Sequence, residues 1–293
     1  MISFKNMNIG LIGFGYWGKI ILRNLRELGY TNIVICEKED IDWHQIGSKH
    51  EQIRDYRNLK CDKVFVIVPV ESHYEVCSHF LKRGIDVFCE KPLDTSSEKC
   101  IELYKIAEDN NANLFVDWIF TYNPAVLKIK QLISEFGKPK SIIANRMNFG
   151  PVRHDVGAKW DLASHDVSIG CYLLNEAPKT SKWLEFNRNQ NSIQYDSAVG
   201  ILNFSETNMQ INVSWFYGIK NRMYIFEFED FFIHWDDTTG MLLYRNETLP
   251  LKQESPLHNS INNFMSANYI QKDLTINITK SLEGDNICQN LNY

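Results

Sequence analysis

Apolar residues along this 293-residue chain fall into two rhythms, and the change between them divides it. In the first stretch, short continuous apolar runs alternate with amphipathic segments. Residues 9–12, 32–36, 63–68, 86–89 and 113–120 (IGLI, NIVIC, KVFVIV, DVFC and NLFVDWIF) are rich in β-branched and aromatic side chains, the signature of strands buried on both faces. The segment from Ile20 to Leu25 and residues 72–83 and 96–110 carry apolar side chains at helical intervals between these runs. This β-α alternation predicts a doubly wound parallel sheet. Beyond it the period drops to two. Residues 140–148, 182–187, 193–204, 208–217, 223–229 and 231–235 alternate apolar and polar positions between Asn, Glu and Gly turns, which predicts a large open, mainly antiparallel sheet with one covered face. A helix over residues 123–136 has Pro124 in its first turn and Gly137 just past its end. A second is expected over residues 161–174, and two short ones, with a polar end, over residues 257–293.

The first strand leads into Gly13, Phe14, Gly15, Tyr16, Trp17 and Gly18, the G-x-G-x-x-G spacing. After a strand and before a helix, these glycines fit the phosphate-cradling turn of a dinucleotide fold. Gly13 makes the turn, Gly15 lets a pyrophosphate approach the backbone, and Gly18 lets the helix pack closely. The helix N-terminus offers N–H groups and partial positive charge to the phosphates. The fold class is therefore α/β, with an N-terminal Rossmann domain over residues 1–120 and a C-terminal α+β domain with the large open sheet over residues 121–293. Glu37 ends the second strand about 20 residues after the last glycine, where an acidic side chain meets the ribose hydroxyls of NAD and repels the 2′-phosphate of NADP. The expected cofactor is thus NAD in preference to NADP; the plain alternative is a carboxylate that merely ends a strand.

Composition narrows the class without naming the chemistry. Hydrophobic residues make up 44% and charged residues 23% of the chain, as in ordinary globular proteins. A net charge of −5 and a pI near 5.9 argue against a nucleic-acid face. The seven cysteines are scattered with no C-x-x-C pair, so neither a metal site nor a disulfide framework is indicated. The chain enters its first strand without a signal-like segment, and no apolar run is long enough to span a membrane. The expectation is a reduced, cytoplasmic protein with no membrane or nucleic-acid partner.

Two stretches carry candidate chemistry. Glu90-Lys91-Pro92 follows the strand at residues 86–89, and Pro92 stiffens the turn that holds Lys91. An ammonium there can stabilise alkoxide charge on a substrate hydroxyl, although a Lys after a strand is ordinarily a solvated surface residue. Asp161 and His165 stand four residues apart, within mutual reach on one helix face. A carboxylate beside an imidazole suits proton removal from an alcohol near neutral pH; a helix cap beside a histidine is the equal alternative. Val68, Pro69 and His73 lie at the carboxyl edge of the parallel sheet, where His73 is either a cofactor contact or a solvent-facing side chain.

The glycine turn, Val68-Pro69 with His73, the Glu90-Lys91-Pro92 triplet and Asp161-x-x-x-His165 together resemble the Gfo/Idh/MocA oxidoreductase family, over nearly the whole chain. The resemblance implies an NAD-dependent dehydrogenase acting on CH–OH groups. Lys91, Asp161 and His165 would form its catalytic set, with His165 accepting the proton, and it would assemble as homodimers or homotetramers through the open sheet. That sheet carries Trp215, Phe216, Tyr217, Phe226 and Phe228. Residues 120–126, Asn145-Arg146, residues 150–153 and Trp160-Asp161-Leu162 resemble the UDP-N-acetylglucosamine 3-dehydrogenase-like branch, which oxidises the 3-hydroxyl of a nucleotide-linked sugar to a ketone. Tyr122, Asn123 and Trp160 would then border the sugar, and Arg146, Arg153 and Lys159 would meet a diphosphate or uronate. For all three a solvated strand edge and loop fit the sequence equally well. Ala163-Ser164 and Asp117-Trp118 depart from that branch. A free polyol, inositol or keto-sugar, with NAD or NADP, is the alternative substrate class. A non-catalytic NAD-binding sensor is the alternative of another class.

Overall fold

The computed structural model describes residues 7–43, 50–266 and 271–286. Its described residues form two compact units, the first built from residues up to 94, 98–117 and 257–272, the second from 95–97, 118–256 and from 273 onward. The longest segment of the second unit begins at Trp118. Residues 257–272, expected in the second domain, return to the first.

The first unit is a six-stranded parallel sheet: β1 (Ile9–Ile12), β2 (Ile33–Cys36), β3 (Glu51–Ile53), β4 (Lys63–Val66), β5 (Asp86–Cys89) and β6 (Leu114–Val116), in the order β3-β2-β1-β4-β5-β6. The connections run through α1 (Tyr16–Glu27), α2 (Val70–Leu81) and α3 (Ser97–Asp109). Every residue of β1 and β4 is buried, as continuous apolar runs in a parallel sheet require. The strand order reverses between β1 and β4, and ligands of such sheets bind in the crevice beyond the carboxyl ends at that reversal. Edge strand β3, three residues reading Glu-Gln-Ile, carries no apolar run and is invisible to periodicity.

Helix α6 (Pro256–Met265) belongs to this unit from Leu257 onward. Its Phe264 ring lies 5.2, 5.5 and 5.8 Å from the rings of Phe65, Phe88 and Phe115, which are themselves neighbours on β4, β5 and β6. Burying aromatic rings of this size contributes on the order of 2 kcal/mol each.

The second unit is organised by a nine-stranded sheet. Its strands are β7 (Ser141–Phe149), β8 (Thr180–Phe186), β9 (Ser197–Asn203), β10 (Asn208–Ser214), β11 (Phe216–Glu227), β12 (Phe232–Asp236), β13 (Met241–Tyr244), β14 (Glu247–Thr248) and β15 (Asp285–Asn286). They run in the order β14-β13-β12-β11-β7-β10-β9-β8-β15. Pairings are antiparallel except β7 with β10 and β8 with β15. Helices α4 (Pro124–Phe136), α5 (Ser164–Leu174) and α7 (Lys272–Glu283) accompany it. Asn123 caps α4 by accepting the Ala125 N–H at 2.8 Å, and Gly137 ends it at a φ of 87°, a left-handed conformation that favours glycine.

One sheet face is buried through Ile142, Ala144, Met209, Ile211, Tyr224, Phe226 and Trp235. Helix α5 presses on it so closely that a Cβ at Gly170 would stand 2.7 Å from the Met209 sulfur. The opposite face leaves Ile143, Ile201 and Phe232 37%, 38% and 57% exposed. The aromatic set expected on the sheet's covered face, against a second subunit or against helices of the same chain, is divided within the unit. Trp215, Phe226 and Phe228 are buried inside the unit, and Phe216 and Tyr217 are half-buried. Two expected strands also merge differently, because β11 starts at Phe216 and its register against β7 shifts between Phe216 and Asn221. Gly218 falls in that irregular stretch and breaks the alternation. No helix among the described residues is long and apolar enough to cross a membrane.

Candidate active site

At the first and last of its three glycines the turn leaves no room for a side chain. Gly13 has a φ of +88°, and a Cβ there would stand 2.1 Å from the Ile67 carbonyl oxygen. A Cβ on Gly18 would stand 2.2 Å from the Gly13 carbonyl oxygen. At Gly15 a Cβ would meet nothing within 4 Å, so the backbone that begins α1 borders open space of the kind a pyrophosphate needs. Those residues fit a dinucleotide. The Glu37 carboxylate closes the turn, accepting the Phe14 N–H at 2.7 Å on one oxygen and the Lys38 N–H at 2.7 Å on the other. Tyr16 and Trp17 stand exposed at the start of α1.

At the carboxyl edge, Val68 is half-buried and Pro69 is exposed ahead of α2. His73 is neither solvent-facing nor open to a ligand. Its ring is buried, with Nδ1 2.9 Å from the Pro92 carbonyl oxygen and Nε2 2.8 Å from the Val68 carbonyl oxygen. Burial lowers its pKa although those carbonyls raise it, and a neutral ring donates to one carbonyl at a time. His73 therefore ties the Val68-Pro69 turn to the Lys91-Pro92 turn. The Lys91–Pro92 peptide bond is cis, and the Lys91 N–H donates to the Glu90 carboxylate at 3.1 Å.

One carboxyl in this neighbourhood had no assigned role in the motif reading. Asp117, just beyond β6, is 2% exposed and accepts the Ser260 hydroxyl of α6 at 2.6 Å. Burial, reinforced by the charge of Glu90, pushes its carboxyl up to about 8, against the opposing Ser260 hydrogen bond and the Lys91 charge. Its sequence signal is a carboxylate inside the apolar run NLFVDWIF. A charge placed there must be paired or protonated.

In the second unit Asp161 and His165 do not share one regular helix. Lys159–Ala163 form a π-helical turn, and α5 begins only at Ser164; such turns recur at functional sites. The Asp161 carboxylate accepts the Trp215 indole N–H at 3.1 Å and has Arg153 Nη1 at 3.6 Å. Trp215 was expected only as a sheet aromatic. The half-buried His165 ring meets Phe120 edge-on at 5.0 Å.

The cations expected at a diphosphate are largely engaged within this unit. Arg146 is 1% exposed, donating to Asp166 at 2.9 Å and to the Tyr224 hydroxyl at 2.6 Å, with its guanidinium 4.2 Å from the centre of the Phe120 ring. Burial works against its charge, but Asp166 and then Tyr224 outweigh it and hold the pKa above the ordinary value. Arg146 is thus a core residue, in phase with Ile142 and Ala144 on the covered face. Arg153 spends two donors on Asp155, at 2.8 and 2.6 Å, and Lys159 pairs with Glu185 at 2.7 Å. Asn123 is the α4 cap, while Tyr122 and Trp160 are half-buried. Among the described residues no group of three His, Cys, Asp or Glu side chains is placed to hold a metal ion.

Residues 7–118 match the family model described as an oxidoreductase family with an NAD-binding Rossmann fold. Inositol 2-dehydrogenase of Rhizobium meliloti is 26% identical over 124 residues, 40% of this chain and 38% of that protein. UDP-N-acetylglucosamine 3-dehydrogenase of Acidithiobacillus ferrooxidans is 26% identical over 181 residues, 59% of this chain and 56% of that protein. In both comparisons the chain spans less than two thirds of the relative's length. A solved structure of the Acidithiobacillus enzyme has a TM-score of 0.84 with this chain at 18% identity, covering 94% of this chain and 95% of that one, a likeness of fold.

Two stability measurements check these assignments. Arg146→Ala strands the Asp166 charge in the core, at an expected cost of about 3–5 kcal/mol in denaturant unfolding; a loss under about 1 kcal/mol would contradict a core role. For Asp117, the folded pKa lies above the ~3.9 of an unfolded chain. Its contribution to stability is fully present below that value and is lost as pH rises through about 8. Thermal unfolding should therefore show a midpoint falling across that window in the parent chain and a flatter course in Asp117→Asn.

Proposed function

We propose, from the membership of residues 7–118 in the Gfo/Idh/MocA oxidoreductase family, that this protein is an NAD-dependent dehydrogenase. It oxidises the 3-hydroxyl of a UDP-N-acetylglucosamine-type sugar nucleotide to a ketone. The observation that carries the reading is Lys91, set on a stiffened turn at the carboxyl end of β5, on the same sheet edge as the glycine turn. When bound, the dinucleotide supplies the ring that accepts the hydride.

Lys91 donates to the carbinol oxygen and stabilises the negative charge that develops as the C–H bond breaks. His165 takes the hydroxyl proton. Asp161 keeps the proton acceptor oriented, and Trp215, by fixing one Asp161 oxygen, limits that carboxylate's freedom. Glu37 sits where the 2′-phosphate of NADP would be repelled, which favours NAD. Arg146 is withdrawn from substrate binding, and Arg153, with Nη1 near Asp161, remains the candidate cation. The inositol dehydrogenase relative supports a free polyol as the second reading. Two or four copies of the chain would pair through the open sheet face that exposes Ile143, Ile201 and Phe232.

Purified protein offered UDP-N-acetylglucosamine, its uronate and free inositol should reduce NAD with the sugar nucleotides, and NAD should be preferred over NADP. Lys91→Ala and His165→Ala should each lower kcat by about a hundredfold or more while NAD still binds. Full rates in both variants would overturn the assignment, turnover of inositol alone would shift the substrate, and tight NAD binding without any turnover would favour a sensing role. Sedimentation should show a dimer or tetramer that Phe232→Lys weakens; a monomeric parent chain would refute the pairing.

A further inference from the structure

The parallel register between β5 and β6 sets Cys89 opposite Val116. The next residue of each strand, Glu90 and Asp117, therefore emerges side by side at the carboxyl edge. The backbone agrees, since the Asp117 N–H donates to the Cys89 carbonyl oxygen at 2.9 Å. From α6 the Ser260 hydroxyl reaches one Asp117 oxygen at 2.6 Å. The charged groups acting on Asp117 are Glu90, which raises its affinity for a proton, and Lys91, which lowers it. The site is thus a cluster of two carboxyls and one ammonium, with the inner carboxyl shut off from water and tied to a helix from the far end of the chain.

Two carboxyls this close, one of them dry, do not both ionise readily, and one retains a proton. The pair then carries one negative charge against the single positive charge of Lys91. We propose that Asp117 is a positioning residue for Lys91: held protonated between Ser260 and Glu90, it keeps the charge around the ammonium balanced and its field directed at the substrate oxygen. This inference rests on the dehydrogenase reading for its consequence in catalysis, but the cluster itself does not require turnover. Burial and Glu90 place the Asp117 proton release near 8. Above that pH a second negative charge faces Lys91 and offsets the positive potential that a developing alkoxide needs.

The test uses the full-length chain with its lysines reductively methylated with carbon-13. The Lys91 resonance is identified by its loss in Lys91→Ala. In the parent chain that resonance should shift with an inflection near pH 8, and in Asp117→Asn the inflection should be absent. Ser260→Ala, which removes the hydrogen bond that favours the ionised carboxyl, should move the inflection to higher pH. In turnover, kcat of the parent should fall above the same pH. Asp117→Asn should lower kcat several-fold, leave the KM for NAD within about twofold and abolish the alkaline limb. A residue that only braces α6 would lower the unfolding midpoint and leave both pH profiles unchanged. The proposal is overturned if the Lys91 resonance is flat in the parent chain or if Asp117→Asn keeps the parental inflection. If the resonance behaves as expected but no sugar is oxidised, the positioning of Lys91 stands and the dehydrogenase reading fails.

Discussion

Arg146 meets Asp166 with both side chains shut off from water, and much of the candidate chemistry in the second unit is shaped by that pair. A buried charge must be answered by another buried group. Arg146 is answered by Asp166 and Tyr224, Lys159 by Glu185, and Arg153 by Asp155. Three cations that the family resemblance offers to an anionic substrate are thereby drawn into the fold, two of them deeply. The candidate groups that remain are those whose engagement leaves a face half-buried: Asp161 with Trp215, and His165 against Phe120.

The same rule in the first unit yields opposite outcomes for two titratable side chains. His73 is buried, its pKa lowered by that burial, and it acts through geometry by bracing two turns of the sheet edge against each other. Asp117 is buried beside charged neighbours, and its proton is released only near 8. Burial alone therefore does not sort a structural group from one that can influence chemistry. What sorts them is the charge of the groups they face.

The parts of this arrangement legible in the sequence were those carried by period and by glycine. The β1 run, the G-x-G-x-x-G turn and the placing of Lys91 after β5 follow from continuous apolar strands and from backbone contacts that exclude a Cβ. Edge strand β3 escaped because Glu-Gln-Ile on an edge needs no apolar run. Arg146 was misjudged through its residue type, although its phase with Ile142 and Ala144 pointed inward. The π-helical turn at Lys159–Ala163 has no sequence period of its own, so Asp161 and His165 read as partners on a plain helix. Helix α6 was legible as a helix, but amphipathicity says only that a face must be covered and not which sheet covers it.

Helix α6 closes over Phe65, Phe88 and Phe115 and supplies Ser260 to Asp117. The dinucleotide-type unit is thus completed only after the chain has passed through residues 118–256 of the second unit. Heredity and engineering face the same constraint. A crossover that exchanges one unit for a relative's must be cut at every one of these passages, because α7 and β15 return the chain to the second sheet after α6. A single cut after residue 120 would separate the aromatic floor of the first sheet from its lid. Substrate range in such a chain can diversify by point changes and loop exchange more readily than by wholesale shuffling of domains.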